Sequence, residues 1–563
     1  MPARGRSTPH EPPTGADRVS TDPGHADGVP ALGSAVRTTG AVTLVSRLGG
    51  LARDVIVVRI FGDTAIGSAF AAAFAIPNTF RRLFGEGALS AAFLPQYAQA
   101  QRHDPEVAAR FAGLVVAALG LATAALTIAA EVVLLLVLLL GPHSVDRSLS
   151  LRLIMVMLPF MPLICMAAIL GGMLQVHGRF GPAASGPIVL NAFIIAVGAW
   201  HLALGTFATE PTAYLLGAAT VLSGVTQAGW FALLLRAHLR RPRLTPDAVH
   251  RARVTLRRFV PVALGLGTLQ LNGFVDMLIA MWPIWVGPRL LGRAYPLDEA
   301  SNVILASAQK LYQFPLGVFG IAVAAAVFPM LARAADEPHR FEQILRRGLR
   351  LSLFIGLPAS LGLVLVRHDV TLALFGGGST GFSPEGVDRA AAVVLGFAPA
   401  VWAYSLNHVF TRAFYARGDT ATPVYVAIAA VGLNVALNLT LIWPLREAGL
   451  AWSTAASAMA QTAALAWLCA RRLRVAPLDW ATARAVARIA AASLLMGVAV
   501  WGVGRALQQA NLSLSPWWGA LVRLAAMTGV GGVSYLAFAR LLGAPELAWM
   551  LARSVARNGA ATP

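Results

Sequence analysis

Runs of apolar residues separated by short polar breaks follow one another along nearly the whole chain. They lie near 36–60, 65–98, 108–140, 149–175, 182–205, 212–237, 256–286, 301–332, 347–367, 388–414, 421–443, 448–470, 484–506 and 516–541. A helix needs roughly 20 mostly apolar residues to cross a bilayer. The pattern therefore predicts an all-α polytopic membrane protein with about fourteen transmembrane helices. Residues 1–33 break the pattern: they are rich in proline, glycine and charge, and no apolar segment of signal-peptide length follows them. They read as a disordered cytoplasmic tail, and 544–563 reads as a second cytoplasmic tail.

The polar breaks differ in charge. The loop 236–258 holds Arg236, Arg240, Arg241, Arg243, Arg251, Arg253, Arg257 and Arg258. The loops 333–350 and 471–488 are also arginine-rich, whereas 205–211 has no lysine or arginine and 287–300 balances Arg289 and Arg293 against Asp298 and Glu299. Fourteen crossings with the N-terminus inside put all three arginine-rich loops on one side, so both termini are expected in the cytoplasm.

The chain also repeats. "FRRLFGEGALSAAFLP" (80–95) aligns with "FPLGVFGIAVAAAVFP" (314–329), matching Phe80 with Phe314 and Pro95 with Pro329. "GRFGPAASGPIVLN" (178–191) echoes "ARGDTATPVYVAIAAVGLN" (416–434) more weakly. Six helices separate the copies, which gives two six-helix lobes as parallel repeats: an N-lobe at 34–240 and a C-lobe at 254–473. Two further helices, 482–543, follow.

Composition narrows the functions. The chain is 57% hydrophobic and 13% charged, against about 25% charged in soluble domains. Its net charge of +19 is almost all arginine. Cytoplasmic loops account for that excess, and no basic stretch interleaves with aromatics, so nucleic acid is not an expected partner. Cys165 and Cys469 lie in apolar runs and form neither a disulfide framework nor a metal cluster. There is no Walker loop, metal spacing or nucleophile motif, and no enzyme activity is expected.

Charge inside the apolar runs is the candidate chemistry. "SRLGGLARDVIVVRIFG" (46–62) carries Arg47, Arg53, Asp54 and Arg59. At helical period, Arg47, Arg53 and Asp54 share one stripe with Thr43, Ser46 and Gly50, while Arg59 falls near the helix end. An arginine at mid-membrane costs about 2.5–3.5 kcal/mol even on the lenient insertion scale, so the stripe faces protein or water. The next run adds Arg81, Arg82 and Glu86, of which Arg82 and Glu86 stand i,i+4 and can pair. One reading is a salt-bridge network centred on Asp54. The other is a positive surplus of Arg47, Arg53 and Arg81 that binds a phosphate-bearing substrate, for which arginine's fork is suited. Pro77, Gly85 and Gly87 predict a bend in the second helix.

At these residues the chain resembles the MurJ/MviN family, the lipid II flippases of bacterial cell-wall synthesis. The stretches that carry the likeness are "SRLGGLARDVIVVRIFG", "IPNTFRRLFGEGALSAAFLP", "FPLGVFGIAVAAAVFP" and "FYARGDTATP". The resemblance implies the multidrug/oligosaccharidyl-lipid/polysaccharide exporter fold, with the last two helices lining a groove for a lipid tail. It implies movement of undecaprenyl-diphosphate-linked disaccharide pentapeptide from the inner to the outer leaflet of the bacterial cytoplasmic membrane, without covalent chemistry. Implied partners are lipid II, membrane lipids and the cell-wall synthesis machinery. Ser46, Arg47, Arg53, Asn78 and Arg81 match the family's cavity positions. Ser68, Gln309, Lys310 and Gln313 depart from it, standing where Asp, Asp, Arg and Glu are expected. Lys310, the only lysine in the chain, reads either as a further cavity cation from the second lobe or as a side chain snorkelling to an interface.

By the same resemblance Asp276, Asn434, Asn438 and Thr454 are a candidate sodium site; interhelical hydrogen bonding is the other reading. Coupling to sodium or to the membrane potential is the corresponding expectation. Glu131 stands alone in an apolar run, and His177 precedes a cytoplasmic turn. The competing functions are a polysaccharide-lipid flippase, a drug/cation antiporter of the same fold, and a non-transporting scaffold. An antiporter for cations calls for acids in its cavity, whereas this cavity is expected to be basic.

Overall fold

The computed structural model describes residues 28–82, 89–142, 144–240, 245–377, 380–510 and 514–550. Within them, helix occupies all fourteen predicted stretches. The first half comprises α1 (Gly28–Phe61), α2 (Ala65–Phe80), α3 (Leu89–His103), α4 (Pro105–Leu140), α5 (Val145–Met157), α6 (Phe160–Val176), α7 (Phe180–Leu204) and α8 (Glu210–Leu234). The second begins with α9 (Pro246–Ala280), the single turn α10 (Trp282–Trp285) and a small hairpin of β1 (Arg289–Leu290) and β2 (Arg293–Ala294). It continues through α11 (Ser301–Pro315), α12 (Ile321–Arg333), α13 (Pro338–Phe375), α14 (Pro384–Phe397), α15 (Val401–Ala416), α16 (Ala421–Leu445) and α17 (Glu447–Leu468). Helices α18 (Trp480–Gln509) and α19 (Pro516–Leu541) come last.

Local sequence explains the boundaries. Asp104, Thr209 and Asp479 cap helix N-termini, each side chain accepting a backbone N–H of the first turn, and proline follows at the start of α4 and α8. Breaks within crossings follow proline, which removes a backbone donor. Pro159 separates α5 from α6, and a 3-10 turn at Ala398–Ala400 separates α14 from α15. After Pro315 a π-helical turn, Leu316–Gly320, joins α11 to α12. Its counterpart in the first half is a π-helical step at Arg81 and Arg82, where α2 ends. The sequence repeat therefore reappears as a matched break in the second crossing of each half.

Among the described residues, nine helical stretches are long and apolar enough to cross a membrane. The other five stretches predicted to cross are α1, α2 with α3, α9, α11 with α12, and α17; they carry many of the polar residues of the cavity described below. The three arginine-rich loop expectations need correction: 338–350 and 480–488 are the first turns of α13 and α18, and the same holds at the start of α9. Residues 246–258 are not loop but the first turns of α9, begun by Pro246 at its N-terminus. Arg251, Arg253 and Arg257 thus ride on a helix that extends beyond its apolar portion.

Large aromatics fill the interior: Phe61, Phe93, Tyr97, Phe111 and Phe160 in the first half, and Phe341, Phe375, Phe397 and Phe414 in the second. Helices α18 and α19 pack against α13 through Ile489, Met496, Met527 and Phe354. The Tyr535 hydroxyl donates to the Phe354 carbonyl at 2.5 Å, and Arg523 pairs with Asp369 at 2.8 Å.

Candidate substrate cavity

A cavity of about 640 Å³ lies between the halves, walled by α1, α2, α9, α11, α15, α16 and α17. Its charged part is built on the stripe that periodicity predicts for α1. Asp54 accepts from the Arg53 guanidinium at 2.8 and 3.1 Å. It also pairs with Lys310, from α11 of the other half, at 3.0 Å. Arg53 further donates to Asn191 of α7 at 3.2 Å and lies 4.8 Å from the Phe74 ring centroid. The Asn191 amide in turn donates to the Ser46 carbonyl at 3.1 Å, so one asparagine fixes both the backbone of α1 and the Arg53 side chain. Lys310 faces the cavity, and its acid partner comes from the opposite half; the reading in which it snorkels to an interface is corrected.

Arg53, Asp54, Asn78, Arg82, Gln309, Lys310 and Gln313 line the cavity, whereas Ser46, Arg47 and Arg81 lie outside its lining. Arg81 donates to Asn78 at 2.8 Å and so braces a lining residue. Arg47 packs on the π-helical turn: a Cβ at Gly317 would stand 2.5 Å from an Arg47 guanidinium nitrogen and would displace the arginine's tip. Glu86, and with it the expected pairing with Arg82, lies outside the described residues.

The C-lobe wall holds a second polar node. Asn438 donates to Asp276 at 2.7 Å and to Asn434 at 3.1 Å; Asn434 donates to Thr454 at 3.1 Å, and the Thr454 hydroxyl stands 3.5 Å from Asp276. The four residues expected as a cation site are thus brought together across α9, α16 and α17. Among the described residues, the Asn438 side-chain oxygen is buried without a hydrogen-bond partner. The node joins α9 to α16, as Arg53 and Asn191 join α1 to α7 in the first half, but it is built on an acid rather than a base.

One wall escaped the sequence reading. Tyr404, Asn407, His408, Thr411 and Tyr415 of α15 all face the cavity. Their spacing of three, four, seven and eleven residues from Tyr404 is one helix face. The signal was present in "YSLNHVFTRAFY", but an uncharged stripe does not stand out as charge does. His177 is tied down, its ring nitrogen 2.7 Å from the Tyr97 hydroxyl. Glu131 sits half-buried on α4, outside the cavity lining.

At the end away from the arginine-rich loops, the halves close on each other. Ser68, buried in α2, accepts the Val303 N–H on its hydroxyl at 3.1 Å and the Asn302 amide on its carbonyl at 2.9 Å. Ser68 and Asn302 are 234 residues apart, the offset that relates Phe80 to Phe314, so equivalent positions of the two repeats touch. Asp63, between α1 and α2, accepts from the Ser383 N–H at 2.9 Å and from its hydroxyl at 2.5 Å. The Gly381 N–H donates to the Arg59 carbonyl at 3.2 Å. Nearby, Asp298 joins Arg389 and Arg446 at 2.8 and 2.6 Å. Partial burial pushes the Asp298 carboxyl up, but hydrogen bonds and charge from Arg389, with Ser301 and Arg446, hold it below the usual carboxylate range.

Comparison with known proteins places this geometry. The model of the family described as "Lipid II flippase MurJ" matches residues 57–518. A probable lipid II flippase MurJ of Rhizobium meliloti (strain 1021) is 33% identical over 433 residues, covering 74% of this chain and 76% of its own. One from Vibrio cholerae is 29% identical over 528 residues, covering 89% and 94%. Among solved structures, a lipid II flippase MurJ in an inward closed conformation superposes with a TM-score of 0.70 at 20% identity, covering 89% of this chain and 98% of that one. An inward-facing MATE family transporter of the MOP superfamily reaches 0.63 at 15% identity, covering 78% and 98%. These structural likenesses show a shared fold.

Proposed function

The chain belongs to the lipid II flippase MurJ family, and from that premise we propose that it carries lipid II across the bacterial cytoplasmic membrane by alternating access between its two halves. The observation that carries the mechanism is the meeting of Arg53 and Lys310, one from each half, on the single carboxylate of Asp54. Without cargo, Asp54 keeps two half-buried cations from standing uncompensated, which would be costly. A diphosphate offers more negative charge than one carboxylate, and the Arg53 fork suits its oxygens. Cargo therefore competes with Asp54 for Arg53 and Lys310. Exchange loosens an ion pair that ties the halves together, and so links binding to opening of the closed end.

The arginine-rich loops support a cytoplasmic loading side for the cavity, with both termini on that side. Arg82 and Asn78 add to the cavity's polar wall, with Arg81 holding Asn78 in place. Helices α18 and α19, packed on α13, supply the surface for the lipid tail. The test is growth of a bacterium depleted of its own lipid II flippase. The wild-type chain is expected to restore growth, and Arg53→Ala to fail at equal membrane insertion. Failure of the wild type at full insertion would overturn the assignment in favour of another cargo or a scaffold.

Asp276, Asn434, Asn438 and Thr454 fit a monovalent cation site. Hard oxygens converge there, a single carboxylate supplies the charge, and among the described residues the Asn438 side-chain oxygen has no protein partner. Sodium held there would draw α9, α16 and α17 together. Transport in sealed vesicles is expected to rise with sodium in the wild type and to lose that dependence in Asp276→Asn. Sodium-independent transport in both would leave the membrane potential as the coupling force.

A further inference from the structure

We infer that the uncharged face of α15, with Gln461 of α17, is a saccharide subsite that grips the sugar of the lipid-linked cargo while the Arg53–Lys310 end takes the diphosphate. The inference rests on the lipid II reading above and assigns part of the cargo to a wall that reading leaves idle.

Three observations lead to it. First, hydrogen-bonding capacity along this wall is unspent. His408, Thr411 and Tyr415 line the cavity, and their side chains make no hydrogen bond within the described residues. Among the described residues, the Tyr404 hydroxyl and the side-chain oxygen of Asn272 on α9 are buried without partners. Buried polar groups normally find partners, and together with the three open groups these two give this part of the cavity donors and acceptors that a polar ligand can use.

Second, the wall is built rather than incidental. The Asn407 carbonyl oxygen accepts from the Thr462 hydroxyl at 2.8 Å, and its amide donates to the Ala458 carbonyl at 3.3 Å and to the Gln461 carbonyl oxygen at 3.4 Å. Asn407 is thereby satisfied, and it orients Gln461 so that the Gln461 amide group remains available to the cavity. Tyr404 is held in a stack, 5.4 Å from Tyr312, which is itself 4.5 Å from Phe397. Rings fixed in this way offer flat apolar faces beside the polar groups.

Third, the charge is elsewhere. Arg53, Asp54, Arg82 and Lys310 belong to α1, the end of α2 and α11, and Asp276 belongs to α9; the lining contributed by α15, α16 and α17 contains no Asp, Glu, Lys or Arg. Neutral donors and acceptors, aromatic faces and the apolar Val424, Ala427 and Val431 of α16 suit an uncharged polyhydroxylated ring. A diphosphate needs none of these groups, and the one arginine of α15, Arg412, lies over the Phe328 ring outside the cavity lining. From Tyr404 to Tyr415 the stripe runs along about 16 Å of helix axis, room for more than one ring.

The test compares Thr411→Val and Gln461→Leu, which keep volume while removing hydrogen bonds, singly and combined. Full-length protein in lipid nanodiscs is titrated with three probes: lipid II, the same undecaprenyl-diphosphate disaccharide without its peptide, and bare undecaprenyl diphosphate. Thermal midpoints check that each variant is folded. The combined variant is expected to bind both sugar-bearing lipids about tenfold more weakly, as the loss of two hydrogen bonds predicts, with bare undecaprenyl diphosphate unchanged. Arg53→Ala is expected to weaken all three. A loss seen only when the peptide is present would assign the wall to the peptide and overturn the saccharide subsite. Equal loss with bare undecaprenyl diphosphate, or no loss with any folded variant, would overturn it too. Failure of the wild type to bind lipid II would instead overturn the flippase reading. If the combined variant does not insert, Thr411→Val alone decides, with a correspondingly smaller loss of about threefold.

Discussion

Asp54 holds two cations of different chemistry. Arg53 presents a rigid planar fork that is also bonded to Asn191, whereas Lys310 is a point charge on a flexible stem. Arg53 is suited to hold the cargo, and Lys310 to follow it as the cavity reorganises. Lys310→Ala is expected to abolish rescue of a flippase-depleted strain, and Lys310→Arg to retain most of it. Arg47→Ala is expected to be milder than either Lys310→Ala or Arg53→Ala, because Arg47 packs on Gly317 outside the cavity lining. Full growth of the Lys310→Ala strain at low expression would make the Asp54 ion pair dispensable. Helical period alone brought Arg53 and Asp54 to one face. It could not find the acid for Lys310, because that partner belongs to another helix in the other half. Nor could it separate Arg47 from Arg53, since both share the stripe and only the packing of α11 and its π-helical turn distinguishes them.

The turn between α1 and α2 acts as a latch. Both Asp63 oxygens accept from Ser383, at the N-cap of α14, and a Cβ at Gly386 would stand 2.3 Å from the Asp63 carboxylate, so this first turn must stay bare. Hydrogen bonds to a charged group contribute about 1.5–3 kcal/mol each. Asp63→Ala should therefore shift the equilibrium towards opening at this end by at least about tenfold. In a variant lacking Cys165 and Cys469, a reporter cysteine at the cavity residue Ser307 reads this out: an impermeant thiol reagent applied from the closed side should label it faster once Asp63 is replaced. Unchanged labelling would mean that Ser68 with Asn302 suffices to hold the seam. The helical stretches themselves were legible from apolar run length. The divisions at Pro159 and Ala398–Ala400 were not, because a proline within an apolar run can bend a helix or end it, and neighbouring helices decide which. The extension of α9 was hidden because arginine in a first turn looks the same in a loop and in a helix that projects beyond the bilayer.

For the molecule as a whole, topology is the most direct test. A cysteine placed at Thr245, just before α9, in a chain without Cys165 and Cys469 is expected to resist impermeant reagents added to intact cells and to react once the membrane is permeabilised. Ready labelling in intact cells would invert the orientation. The two-lobe plan was readable from the repeat of 80–95 in 314–329, but the meeting of Ser68 with Asn302 was not, since a repeat fixes which positions correspond and not which of them touch. That contact shows what joining two lobes in one chain allows. In a homodimer of one lobe, a residue on the two-fold axis meets its own copy, so a charge there repels itself and a lone donor faces a lone donor. Joining both lobes in a single chain frees the two copies to diverge. The serine can then become the acceptor and the asparagine the donor, as Ser68 and Asn302 do. The asymmetry of this contact is thus open to a chain that carries both lobes and closed to a symmetric dimer of one.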